Sequence, residues 1–400
     1  MGKIVREPDV SHRTAAQNAD SLTSRYETHF ARYLAPETHA FSFWKGRVAL
    51  YAILKAMGIG GGDEVILPGF TCVVVPNAVR FAGAKPVFAD IAPTTYNLDP
   101  TSVEAAITPK TKALIIQHTF GIPAQLTELK SLAAGYHIQV IEDCAHSLGS
   151  TFDGRNLGTF GHAAFFSSQW SKPYTTGLGG IATTSDPELG EKLRQIQRQF
   201  REPRWASRLR IYIQYAIYQA LFYPRVYWLA RDLLRRTGRV GLAVASSSES
   251  ELDGLMPEDH EWRMARLLQG AGLRQLHKVS ANLKHRQTLA AFYDEGLNRA
   301  RWPVADRSNQ SVLLRYPLRV QNKNELLQMA RQKRIELGSW FDTPLDGISL
   351  SKHHLLQYTP GQCPNAEATA AKVVNLPLHP RVTPAEANRI LQFFVNFAKQ

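Results

Sequence analysis

Ile138-Gln139-Val140-Ile141-Glu142-Asp143-Cys144-Ala145-His146 is an apolar run that closes on two acids. Its first four residues read as a buried strand, which sets Asp143 at the strand's carboxyl end. Downstream comes Phe165-Phe166-Ser167-Ser168-Gln169-Trp170-Ser171-Lys172, and then the turn Gly177-Leu178-Gly179-Gly180. An acid at a strand end, a second strand, a serine, and a lysine before a glycine-rich turn follow the order of a pyridoxal phosphate site. There the Lys172 amine holds the aldehyde as a Schiff base. The Asp143 carboxylate keeps the pyridine nitrogen protonated, so the ring can act as an electron sink. Singly these residues mean little: a lysine beside glycines is more often solvated, and a lone Asp after a strand is more often a helix N-cap. Their order is what carries the reading.

The surrounding sequence supplies a matching frame. Residues 46–57 have a helical period, with Val48, Leu50, Tyr51 and Leu54 near one face. Short apolar strands are expected at 64–67, 86–89, 113–116 and 138–141, alternating with helices at 71–82, 101–107 and 126–134. Such alternation predicts an α/β domain with a mostly parallel sheet, which binds ligands beyond the carboxyl ends of its strands. After about 280 the pattern changes to a strand at 313–320 and helices at 323–333 and 384–398, a smaller α+β domain. The expected division is an N-terminal arm (1–35), a large cofactor-binding domain (36–280) and a small C-terminal domain (281–400).

Composition narrows the class. Four hundred residues with 44% apolar content suit a two-domain globular protein. Cys72, Cys144 and Cys363 are odd in number and lack metal-ligand spacing, so no disulfide framework or metal site is expected. The N-terminus shows no apolar signal segment. The expected location is the cytoplasm, with peripheral contact at the inner face of the membrane.

Beyond these features the chain resembles the fold-type I, pyridoxal phosphate-dependent sugar aminotransferases of the DegT/DnrJ/EryC1/StrS group. The resemblance rests on Gly46-Arg47-Val48-Ala49-Leu50, Gly62-Asp63-Glu64-Val65-Ile66-Leu67-Pro68, Gly83-Ala84-Lys85-Pro86-Val87-Phe88-Ala89-Asp90, Ile141-Glu142-Asp143-Cys144-Ala145-His146, Ser167 with Lys172, and Leu376-Pro377-Leu378-His379-Pro380. It implies that Lys172 is the Schiff-base lysine and proton shuttle, and that Asp143 partners the ring nitrogen. It implies that His146 contacts the phenolic oxygen, that Ser167 holds the phosphate, and that Gly46 and Arg47 offer it backbone amides. It further implies a homodimer. The reaction would move an amino group from an amino acid, glutamate first, to a nucleotide-linked keto sugar, for polysaccharide or secondary-metabolite synthesis. A sugar dehydratase on the same scaffold, or a non-catalytic membrane-associated protein, are the alternatives. Three positions depart from the family pattern. Cys72 stands where an aromatic stacks on the cofactor, so Cys72 itself, Phe70 or His146 is expected to cover the ring. Leu178 interrupts the glycine turn, and Glu261 replaces an asparagine that reaches the neighbouring subunit's phosphate.

The net charge of +13 is concentrated. Residues 194–239 hold 11 Arg and two acids, Glu202 and Asp232, which is 11 − 2 = +9. The same stretch contains the aromatic run 211–224, too short to span a bilayer of ~20 helical residues. Within an insertion at about 198–255, residues 198–240 are expected to lie on an anionic membrane surface. Packing on the protein's own body is the competing reading. No nucleic-acid recognition motif accompanies the charge, so no nucleic-acid partner is expected. Ser246-Ser247-Ser248-Glu249-Ser250-Glu251 reads as a flexible exit loop.

Overall fold

Val65, Ile66 and Leu67 are wholly buried, and so are Ala113 and Ile115. Strands with no polar face need cover on both sides, and here helices supply it. In the computed structural model, which describes residues 10–221, 247–308 and 310–397, seven strands form one sheet. They are β1 (His39–Phe43), β2 (Glu64–Pro68), β3 (Lys85–Ala89), β4 (Thr111–Gln117), β5 (Gln139–Asp143), β6 (Ala163–Ser167) and β7 (Gly180–Thr184). Their order is β1-β7-β6-β5-β4-β2-β3. The run from β3 to β6 is parallel, and β7 and β1 add antiparallel pairs at one edge. The α/β expectation therefore holds.

Most elements lie where the periodicity puts them. Helices α2 (Gly46–Ala56), α3 (Val74–Phe81), α4 (Pro100–Ala106) and α5 (Leu126–Gly135) connect the strands. The start of the 71–82 helix is different. Thr71 and Cys72 are extended and pair in parallel with Leu345 and Asp346, so the helix begins only at Val74. That pairing lashes the large body to the C-terminal part.

Within the expected N-terminal arm, residues 10–34 form a helix, and residues 1–9 lie outside the described residues. Helix α1 (Val10–Leu34) lies along β1 and a long helix described below. Tyr26, Phe30 and Leu34, spaced by four, are buried. Phe30 meets Phe166 edge-on at 5.2 Å and Tyr174 at 5.8 Å. Tyr174 donates a 2.9 Å hydrogen bond to the Tyr26 hydroxyl. Helix α1 thus braces the loop that carries Lys172.

The chain continues through α6 (Pro187–Gln199) and α7 (Trp205–Leu221), with Pro203 between them. Of the expected exit loop, Ser246 lies outside the described residues, and the rest is ordered. The Ser248 side chain caps the short helix α8 (Glu249–Leu252), and Glu251 is fully buried. Helix α9 (Arg266–Arg299) then runs straight through the expected boundary at 280. Beyond it, β8 (Tyr316–Arg319) and β9 (Val373–Leu376) pair antiparallel. They are accompanied by α10 (Lys323–Gln332), α11 (Pro364–Lys372) and α12 (Pro384–Phe397). Among the described residues no helix is long and apolar enough to cross a membrane.

Phe30→Ala should cost about 3–5 kcal/mol of stability, the usual range for emptying a buried aromatic site. Denaturant unfolding of the full chain measures it. A loss below 1 kcal/mol would return residues 10–34 to the status of a loose arm.

Candidate active site

Glu142 and Asp143 are adjacent on β5, so the pleat sends them to opposite faces. Glu142 turns inward. It accepts hydrogen bonds from the backbone N–H groups of Gly158, Phe160 and Gly161 and lies 3.1 Å from His118 Nε2. His118 Nδ1 in turn accepts the Ala124 N–H. These groups satisfy one another, and the pair is structural. Asp143 faces the other way, and its Oδ1 accepts the Ala145 N–H at 2.9 Å.

Lys172 and Asp143 share a buried space. Burial pushes the Lys172 amine down from 10.5 to about 8, against the opposing pull of Asp143. Burial pushes the Asp143 carboxyl up from 3.8 to about 6, against the Ala145 N–H and the Lys172 charge. Both shifts move the pair toward neutrality, because a low-dielectric site penalises charge. Among the described residues Lys172 makes no ion pair. Its Nζ sits 5.2 Å from the centre of the Trp340 ring. The loop that holds it is pinned at its ends: Ser168 N–H donates to Gly179 O at 3.0 Å, and the Ser168 and Thr176 hydroxyls are 2.7 Å apart.

A second feature lies at the start of α2. Gly180 passes so close that a Cβ there would fall 2.5 Å from the Gly46 nitrogen. A Cβ on Gly46 would meet the Ser167 Cβ at 3.1 Å. Glycines at both positions let the helix start descend onto the end of β6. Helix α2 is almost wholly buried, so its first N–H groups and its dipole act in a dry environment. The predicted residues Gly46 and Ser167 are thereby brought together, and Ser167 and Lys172 line one small cavity. The Arg47 side chain is engaged elsewhere, its Nε 2.8 Å from Glu251.

His146 is neutral, its pKa held well below the ordinary value by burial and by the Lys172 and Arg315 charges. Its ring stacks between Phe120, at 6.2 Å, and Trp340, at 5.4 Å. A cavity of about 600 Å³ opens from Lys172. Arg286, Arg315 and Arg381 line it, with Asn282, Asn375 and Tyr218. Burial lowers the Arg286 pKa to about 9. Its guanidinium donates to Leu314 O at 2.6 Å and Asn282 Oδ1 at 3.0 Å. Arg315 lies over the Trp340 ring at 4.1 Å.

The sequence profile described as the DegT/DnrJ/EryC1/StrS aminotransferase family matches residues 11–212 and 233–395. The chain belongs to the DegT/DnrJ/EryC1/StrS aminotransferase family. The gap in the match, 213–232, falls inside the basic insertion and is narrower than the 198–255 expected. Among curated relatives, GDP-perosamine synthase of Caulobacter vibrioides is 30% identical over 380 residues, covering 92% of this chain and 87% of that one. L-glutamine:2-deoxy-scyllo-inosose aminotransferase of Streptomyces kanamyceticus is 44% identical over 181 residues, 45% of this chain and 42% of that one. The crystal structure of S. venezuelae DesV in complex with a ketimine intermediate superposes with a TM-score of 0.72 at 26% identity, covering 98% of this chain and 96% of that chain.

For an aminotransferase of this family the departures now have a setting. Phe70 is buried against Tyr96, Phe120 and Phe341, inside the core. Cys72 lies near Lys172 and Arg47, and burial pushes its thiol up to about 11. The aromatic ring facing the amine is Trp340, which no motif in the sequence singles out. Leu178 is buried and fills the core behind the turn. Glu261 accepts the Tyr51 hydroxyl at 3.1 Å within its own chain.

A depressed lysine pKa predicts when the amine becomes reactive. In cofactor-free enzyme, acylation of Lys172, followed by peptide mass spectrometry, should titrate near pH 8, well below the ordinary 10.5. Asp143 is the largest influence raising that pKa, so Asp143→Asn should move the midpoint lower. A midpoint near 10.5, or an upward move, would contradict the buried pair.

Proposed function

We propose that this chain is a pyridoxal phosphate-dependent aminotransferase that carries an amino group from glutamate or glutamine to the ketone of a nucleotide-linked sugar. The observation behind it is the buried Lys172 amine and Asp143 carboxylate set beside one large cavity. The residues fit the cofactor. Lys172 would hold its aldehyde carbon, Asp143 its ring nitrogen and His146 the ring's edge, with Cys72 close by. Backbone N–H groups of Gly46 and Arg47, with the Ser167 hydroxyl, would hold its phosphate, as helix starts hold anions. When bound, the cofactor supplies an electron sink that makes the donor's carbon–hydrogen bond labile.

The chain's own groups do the rest. Lys172 Nζ would be the base that takes the proton from the donor carbon and the acid that returns it. A pKa near 8 suits both directions. Asp143, ionised above about pH 6, would keep a proton on the ring nitrogen. Trp340 and Phe120 hold the His146 ring from both faces. Arg286, Arg315 and Arg381 give the cavity a positive wall, suited first to a donor carboxylate and then to the phosphates of a nucleotide-linked acceptor. The working unit of this reading is a homodimer.

The acceptor reading draws on a relative named for a GDP-linked product. The Streptomyces relative is named for glutamine and a carbocyclic ketone, which makes that ketone the comparator. Purified enzyme loaded with cofactor should lose its visible absorbance on adding glutamate or glutamine. A nucleotide-linked keto sugar should restore it. Lys172→Ala should lower turnover below detection. Restoration by the carbocyclic ketone alone would replace the acceptor class. Loss of water from a sugar with no amine transfer from any donor would replace the reaction.

A further inference from the structure

Helix α7 has two unlike faces. The inner one joins the active site: Ile211 is fully buried, and the Tyr218 hydroxyl donates to Trp170 O at 2.9 Å. The Tyr218 ring lies 4.9 Å from that of Trp170. Tyr215 packs against Gly177, and Gln214 and Tyr218 line the Lys172 cavity. Tyr212, Tyr215 and Tyr218 therefore turn toward the protein and are half-buried, on the side the packing reading expected.

The outer face remains. Trp205, Leu209, Ile213 and Ile217 are 71%, 49%, 52% and 44% exposed. Spacing by four places them in one stripe along the helix. They are four of the eleven large apolar side chains exposed among the described residues, and so many on one helix marks an interaction surface. Arg198, Arg201 and Arg210 are exposed near it. Among the described residues none of these three, nor Arg208, is in an ion pair. Arg204 pairs with Glu258. Helix α7 contains no acid at all.

That charge pattern selects the occupant. In a two-fold pairing of copies, each patch meets itself. The two copies of α7 would then bring Arg208 and Arg210 twice over into one interface, with no carboxylate on either helix to answer them. A surface of lipid phosphates answers them directly. The chain beyond α7 continues with Arg225, Arg231, Arg235, Arg236 and Arg239, interleaved with Tyr227 and Trp228, the composition of an interfacial segment.

We propose that α7 lies flat in the surface of an anionic bilayer, with Trp205, Leu209, Ile213 and Ile217 in the headgroup boundary and the flanking arginines on lipid phosphates. Because Ile217 belongs both to the stripe and to the cavity lining, this sets the mouth of the Lys172 cavity at the membrane face.

Flotation of the full chain, loaded with cofactor, tests the proposal. It should float with vesicles of phosphatidylcholine plus phosphatidylglycerol and not with phosphatidylcholine alone. High salt should release it, because exposed charges are screened beyond roughly 8 Å even at physiological ionic strength. The double variant Leu209→Glu, Ile213→Glu should bind at least about tenfold more weakly, since it removes apolar insertion and adds repulsion. Arg208→Gln with Arg210→Gln should weaken binding by about tenfold or more. Circular dichroism and solution mass should stay unchanged, as the replaced side chains of the stripe are exposed. Failure of the wild type to float, or undiminished flotation of the glutamate variant, would overturn the proposal. A fall in that variant's solution mass would place a second copy on the stripe and overturn it equally. Loosened folding of the variant would assign the stripe to the chain's own residues, which overturns it as well.

Discussion

The placement of an amine and a carboxylate together out of water is the constraint around which this structure is arranged. Neither Lys172 nor Asp143 is comfortable there: burial drives each toward its neutral form. A buried charge without full compensation destabilises a fold, so the scaffold must hold the two against relaxation. It does so from three sides. The Asp143 carboxylate is fixed by the Ala145 N–H at a strand end. The Lys172 loop is tied down by Ser168, Thr176 and Gly179. From outside, α1 braces that loop through Phe30, Tyr26 and Tyr174.

A second set of buried charges secures the neighbouring helix start. Lys45 pairs with Asp259 at 2.6 Å, and Arg47 with Glu251 at 2.8 Å. Tyr51 reaches Glu261. The three acids all come from residues 251–261, where the basic insertion ends and the chain rejoins the large body. Breaking such a pair by removing one partner costs on the order of 3–5 kcal/mol. The end of the insertion is thus clamped to α2, while α7, in its first part, is packed on Trp170. The insertion is fastened at both ends to the ground around Lys172, which is why one helix can serve both as a cavity wall and as an outer face.

Much of this was legible because it is local. A strand such as Val65-Ile66-Leu67 has no polar side to hide, and the acid-to-lysine order of the site runs along consecutive elements. What escaped is tertiary. Tyr26, Phe30 and Leu34 carry the helical period of α1, but a long polar stretch precedes them and blurs it. Thr71 and Cys72 read as helix because nothing nearby announces that Leu345 and Asp346 will pair with them. Trp340 reaches the Lys172 amine, and Arg315 and Arg286 reach the cavity, from the C-terminal part and from α9 by folding alone, and no spacing in the sequence joins them to Lys172. Glu251 looked like part of a polar loop because its partner, Arg47, lies far upstream.

The central claim is that Lys172 is the amine that bonds the cofactor. Borohydride reduction of the cofactor-loaded enzyme, followed by digestion and peptide mass spectrometry, tests it most directly. The account predicts a single pyridoxyl-phosphate label, on the peptide containing Lys172. A label on another lysine, or none in protein that shows the cofactor's visible absorbance, would contradict it.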